Sequence, residues 1–232
     1  RDHQERKGSE GTIGDQTTSY QYVGRENCRE CHQKQVDLWK GSDHDLAMQK
    51  VTDETVLGNF DDALFTHQGV TSRFFRKDGN FYVETEGREG KRGVFEIKYV
   101  FGIFPLQQYL VEFERGYIQT LPLCWDTRPA EQGGGRWFHI YDQEKIAADD
   151  ILYWTRIFQN WNFMCAECHS TNVRKKYNVS NDRYQTTYSE IDVSCEACHG
   201  AGSGHVEWSK SRKESQHAED YQAMKLQVGL KD

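Results

Sequence analysis

The sequence predicts an irregular α+β fold, with helical segments towards both ends, organised around groups that they bind, and a β-rich insert between them. Three observations predict it. The pattern Cys-x-x-Cys-His occurs three times, at 28–32, 165–169 and 195–199. Only 36% of the 232 residues are hydrophobic, although 13% are aromatic, a thin supply of apolar filler for a chain that must withdraw most of its surface from water. The hydrophobic period also switches from helical to alternating and back along the chain.

Taken in order, residues 1–21 are polar and read as an arm. Residues 22–62 form a first helical segment, in which Val36 and Trp39 stand three apart and Ser42 and Asp43 can cap a second turn through Leu46 and Ala47. The β-rich insert covers 63–148. Residues 73–76, the turn Asp78-Gly79-Asn80 and residues 81–84 read as a hairpin, with further strands at 94–101, 110–113 and 117–121. Residues 149–208 carry the other two motifs, with Asp149 and Asp150 as caps of a helix through Ile157 and Phe158. Residues 209–232 read as a polar tail with a helix in it.

The cysteines decide the chemistry. Seven cysteines and nine histidines in 232 residues would place far fewer than one such motif by chance. Two thiols, Cys28 with Cys31, Cys165 with Cys168 or Cys195 with Cys198, can add across the two vinyl groups of one haem. The next residue, His32, His169 or His199, then turns its imidazole onto the iron. A zinc ribbon has no need of a histidine after each pair, a thioredoxin-like site uses one pair, and a Cys-x-x-Cys disulfide closes too small a loop to stabilise much. Three haem c groups, with their iron, are therefore expected, stacked together in a helical multihaem cytochrome c core. Cys124 reads as a small buried residue beside Trp125.

A second axial ligand decides between electron relay and chemistry on a small molecule. His3 and His217 lie in polar end segments and read as solvated. His44, His67, His139 and His205 remain, with the thioethers of Met48 and Met164 behind them. The formal charge of −7 makes nucleic acid a poor partner, and no apolar run is long enough to cross a bilayer as a helix. Attachment of this kind points to the periplasm or the cell surface, and to redox proteins as partners. Three functions compete: an electron carrier, a multihaem oxidoreductase whose middle haem keeps an open site for a small nitrogen or sulfur compound, and a homo-oligomeric, conductive filament.

The segment W-K-G-S-D-H-D-L-A-M at 39–48 resembles the W-x-x-S-x-H-x-x-A-M segment of the nitrifier tetrahaem cytochromes that relay electrons from hydroxylamine oxidation. The segment C-E-A-C-H-G-A-G-S-G-H at 195–205 is similar to their C-E-x-C-H-G-P-G…H, with Ala201 in place of the proline. Residues 69–75, 101–111, 136–139 and 160–172 are similar to multihaem cytochromes that carry tetratricopeptide repeats downstream. Relative to those, the chain reads as a short member or a fragment. The resemblance implies crossed ligation, with His44 on the haem of His199 and His205 on the haem of His32. The middle haem lacks a second protein ligand in the nitrifier proteins. Here the insert offers His139 or His67, of which His139 is preferred. His67 is then left for a structural role or for the haem of a neighbouring subunit.

Overall fold

The computed structural model describes residues 19–211 and Lys225. Most of the expected arm, most of the expected tail, His3 and His217 lie outside the described residues. The longest helix is α1 (Arg25–Trp39). After it come β1 (Gln49–Lys50), β2 (Ala63–His67), β3 (Val70–Lys77), β4 (Asn80–Glu86), β5 (Arg92–Phe101), β6 (Leu106–Glu112), β7 (Ile118–Asp126) and β8 (Arg136–His139). The chain then runs through short elements: α2 (Trp161–Met164), α3 (Ala166–His169), β9 (Tyr177–Asn178), β10 (Arg183–Tyr184), α4 (Cys195–His199) and α5 (Ser203–Ser211).

Strands β2 to β8 lie in sequence order, each antiparallel to the next. Strand β5 is long enough to pair with β4 through its first half. Beyond Glu96 its vacated edge is taken by β1, with Lys50 opposite Tyr99 and Gln49 opposite Val100. The predicted hairpin is present as β3–β4, with Lys77 opposite Asn80. Its two-residue turn puts Asp78 at φ 50° and Gly79 at φ 79°, the paired left-handed conformation that matches strand twist and favours Asp-Gly. The end strands β2 and β8 approach one another without forming a ladder, so the sheet curls into a nearly closed barrel.

Aromatic rings fill this barrel. Trp137 stacks on Phe74 with centroids 3.5 Å apart and planes 5° apart. Phe60 meets the rings of Phe74, Phe81, Tyr109 and Trp137 edge-on. Val83, Val100, Val111, Leu121 and Leu123 complete the core. Along β6, Tyr109 and Val111 point into the barrel while Leu110 points out, into a second cluster with Met48, Ile118, Trp161 and Ala166. The segment carrying the second Cys-x-x-Cys-His motif therefore covers the outer face of β6 and β7, and β7 is buried on both faces, as a strand packed on two sides must be.

This architecture corrects the expected one. The fold is not a helical core organised by stacked haems with a β insert; it is dominated by the antiparallel barrel, with few and short helices around it. The low hydrophobic content does not need a cofactor to make it up. A strand buries only alternate residues, and the chain's 12 Phe, 12 Tyr and 6 Trp supply bulk where aliphatic residues are few. The helix expected through Ile157 and Phe158 is also replaced, by turns ending in a single 3-10 turn, Ile157–Gln159. The carbonyls of Trp154 and Arg156 accept from the side-chain amide of Gln119 at 2.9 Å each, and the Trp154 indole donates to Glu86 at 2.7 Å. The two carbonyls are thus taken by a tertiary partner instead of a helical ladder.

Candidate functional site

The three motifs share one local geometry. Their cysteines sit in or at the edge of a short helical turn, and the histidine stands where that turn breaks or ends. His32 leaves helical geometry within α1, at φ −118° and ψ 39°, while His169 and His199 are the last residues of α3 and α4. In α2, just before the second motif, the Asn160 side chain caps the helix by accepting from the Phe163 amide at 2.9 Å, one of the orphan donors of a helix start.

The first motif docks on the third. Glu196, between the cysteines of the third motif, is 3% exposed. Its carboxylate accepts the backbone N–H groups of Val23 at 2.9 Å, Gly24 at 2.8 Å and Gly202 at 2.7 Å. Such charge-assisted bonds are the strong ones. Arg25 reaches Asp192 at 2.9 Å and Glu190 at 3.0 Å, and lies over the Trp39 ring at 4.6 Å. The Trp39 indole donates to the Val193 carbonyl at 2.9 Å. The glycine-rich turn after the third motif lets the incoming chain approach: a side chain at Gly204 would collide with the Tyr20 ring.

A cavity of about 640 Å³ opens where these elements meet, lined by Cys28, Cys31, His32, Cys195, His199 and His205 among others. That is the size of a site for a large organic ligand. The Cys28 and Cys195 thiols interact, which raises the pKa of the first and lowers that of the second, to about 6. The rings of His32 and His205 face each other across 6.2 Å with planes 23° apart, and Trp208 stacks behind His205 at 5.4 Å. Two imidazoles bound from opposite sides of one metal, each nitrogen about 2 Å from it, put their centroids roughly 6 Å apart. The residues thus fit a haem held by Cys28 and Cys31 with both axial positions filled.

The second motif lies apart, on the outer face of the barrel. Nδ1 of His169 is 3.1 Å from the Ala47 carbonyl oxygen and its ring meets Phe101 at 4.9 Å. A backbone carbonyl on Nδ1 sets the tautomer and leaves Nε2 as the ligating atom. His44, three residues before Ala47, is exposed, and its carbonyl accepts the Val193 amide at 3.2 Å, two residues before Cys195. The segment 39–48 therefore touches both later motifs. A second cavity, of about 450 Å³, is lined by Tyr99, Trp161, Asn162, Arg183 and Tyr188, of which Trp161 and Asn162 belong to α2, just ahead of the second motif in sequence.

His67 and His139 lie elsewhere. They end β2 and β8 and meet across the seam of the barrel, with centroids 4.2 Å and planes 9° apart. No attachment cysteine lines the cavity beside them. His139 is three strands from the Phe101 ring that packs on His169, in the register Phe101–Gln108–Cys124–Phe138. Cys124 is fully buried, and burial pushes its thiol up to about 12, which removes it as a nucleophile.

Sequence reasoning missed Glu196, Arg25 and the Ala47 carbonyl. Each motif carries a glutamate between its cysteines, and Glu30 and Glu167 are exposed where Glu196 is buried, so local sequence gives no sign of which one anchors. Ala47 acts through its backbone, which composition cannot reveal.

The family model described as "Cytochrome c554 and c-prime" matches residues 27–63 and 142–200. These stretches hold all three motifs and leave out β3 to β8. No curated protein matches the chain. Among solved structures, the crystal structure of the outer cell wall cytochrome OcwA is similar over 87% of this chain, with a TM-score of 0.51 and 19% identity. The chain spans 36% of that structure's length, and the likeness is one of fold. Together with the motifs, the family match supports a c-type cytochrome with haem c as its cofactor.

Proposed function

We propose that this chain is an extracytoplasmic c-type cytochrome that binds three haems and transfers electrons to and from other redox proteins. The observation that carries the reading is the His32–His205 pair, 6.2 Å apart in a cavity that two attachment motifs line together. Haem c supplies a one-electron iron couple. The chain's own residues do the rest. The six motif cysteines hold the groups covalently, so that they are not lost outside the cell. His32 and His205 would both ligate the iron of the first, which would leave no place for a substrate. Glu196 and Arg25 fix the first motif against the third, which brings two redox centres into one cavity. His44, held near the third motif through its backbone, is the ligand expected to complete the haem of His199. The name of the similar wall cytochrome and the acidic charge favour the cell surface, and no described helix is long and apolar enough to cross a membrane.

One observation favours a second reading for the middle haem. His139 lies against His67 at the barrel seam, and a 450 Å³ cavity is lined by Trp161 and Asn162 of the helix that leads into the second motif. An open position there would allow a small nitrogen or sulfur compound to be reduced or oxidised. Intact mass under denaturing conditions tests the count: three haems above the polypeptide mass are expected, and a smaller number sinks it. Adding carbon monoxide to the reduced protein separates the two readings, since a carrier with all axial positions filled keeps its spectrum and an open middle haem changes about one third of it.

A further inference from the structure

We infer that His67 and His139 form a binding site for a divalent transition-metal ion that is not haem iron, bridging the two unpaired edges of the barrel. The inference stands independently of the electron-transfer reading. The last residues of β2 and β8 are brought together where the sheet order ends and no backbone ladder joins the strands. Their imidazoles are 4.2 Å apart. That is too close for a macrocycle to lie between them, since opposite ligands of one iron stand roughly 6 Å apart, but it matches ligands on adjacent positions of a single ion, whose centroids stand roughly 4–5 Å apart with nitrogens about 2 Å from the metal.

The cavity beside the pair is built for an ion. It measures about 70 Å³, room for an ion and about two waters at roughly 30 Å³ each. Two polar atoms in it are buried without a partner: Nε2 of His67, and the hydroxyl of Tyr153, a residue only 8% exposed. Both are atoms that an ion or its bound water would satisfy. Nδ1 of His139 is engaged by Tyr141, accepting its backbone N–H at 3.1 Å, so Nε2 is the nitrogen left for a metal, which would take the place of its proton. Glu86 and Glu144 also line the cavity against one Lys145, so its charge favours a cation. The rings are nearly parallel, and a turn about χ2, a soft torsion, aims both nitrogens at one point. His67 makes that turn without losing a hydrogen bond.

Among the described residues no three or more His, Cys, Asp and Glu side chains converge on a metal. The shell is therefore completed by water or the Tyr153 hydroxyl. Imidazole donors with open positions select zinc, copper or nickel over magnesium and calcium.

The test uses the haem-loaded protein. After dialysis against zinc and then zinc-free buffer, elemental analysis should find one zinc per chain beyond the haem iron, with a raised unfolding temperature. Both should be lost in His67→Gln and in His139→Gln, while the haem spectrum stays the same in each. No retained zinc, or equal retention in both variants, overturns the site. A change of the low-spin haem signals in either variant also overturns it, because the pair would then serve a haem. A second readout needs no variant: copper(II) added to the unmutated protein should show coupling to two imidazole nitrogens by electron paramagnetic resonance, and an uncoupled spectrum sinks the proposal.

Discussion

Two histidine pairs in this molecule look alike in sequence and differ in what they can hold. His32 and His205 stand 6.2 Å apart, one on a helix at the front of the chain and one on a helix near its end. His67 and His139 stand 4.2 Å apart at the ends of two strands. The 2 Å between those figures separates a gap that admits an iron and its macrocycle from one that admits a bare ion or water. The first pair is set by side chains that dock helices. The second is set by the approach of two strand ends that no backbone ladder joins. Which scaffold carries a histidine thus limits its ligand more strictly than its neighbours in sequence do.

The largest expected effect breaks the second pair from below. Trp137→Ala removes a ring that is 6% exposed, stacked on Phe74 and bonded to Asn59 at 3.1 Å. A loss of about 3–5 kcal/mol is expected, measured by urea unfolding followed by near-ultraviolet circular dichroism. An unchanged midpoint would mean that the barrel does not depend on its aromatic stack. Glu196→Ala breaks the first pair instead. It strands the amides of Val23, Gly24 and Gly202, at a cost of about 2–4 kcal/mol. Hydrogen exchange should rise around residues 20–40 and stay low in β3 to β7; a uniform rise would show that the two regions are not separable.

His205→Ala should convert the haem at Cys28 and Cys31 to a five-coordinate, high-spin form. Resonance Raman would show it in about one of three haems, whereas His139→Ala leaves all low-spin signals in place. The reverse result would exchange the roles of the two pairs. The smallest effect concerns Cys124. It is the one thiol outside the attachment motifs and lies opposite Phe138, the neighbour of His139. With its thiol held protonated by burial up to about pH 12, alkylation at pH 8 should be slow in the native protein and slower still with zinc present. Rapid native labelling would show that the seam opens freely.

What could be read in the sequence was local chemistry. Three Cys-x-x-Cys-His motifs announce themselves because five adjacent positions carry the whole signal. The β3–β4 hairpin was legible because Asp78-Gly79 sits between alternating residues. The barrel was not legible as the dominant feature, because it depends on the meeting of β2 and β8 with no backbone ladder between them, and no periodicity encodes that. Strand β6 was expected only from residue 110, although it begins at Leu106; Gln107 is buried there through bonds to Leu57 and Thr55, which an apolar pattern cannot show. The four histidines stand out in sequence as a group worth explaining. Sorting them needed distances, because their surroundings in sequence are equally aromatic or equally small.

The bond between Glu196 and Gly24 joins residues 172 positions apart. For a chain threaded through a membrane from its N-terminus, that separation is also an interval of time. The first Cys-x-x-Cys-His motif emerges on the far side while one wall of its cavity, with Glu196, His199 and His205, has yet to be synthesised or exported. Until that wall arrives, His32 has no facing imidazole and Cys28 no neighbouring thiol, so the first motif stays open. The carboxylate of Glu196 then acts as the latch of an assembly line: it closes the first site only when the last one has been delivered, and a chain truncated before residue 196 would leave its earliest site permanently ajar.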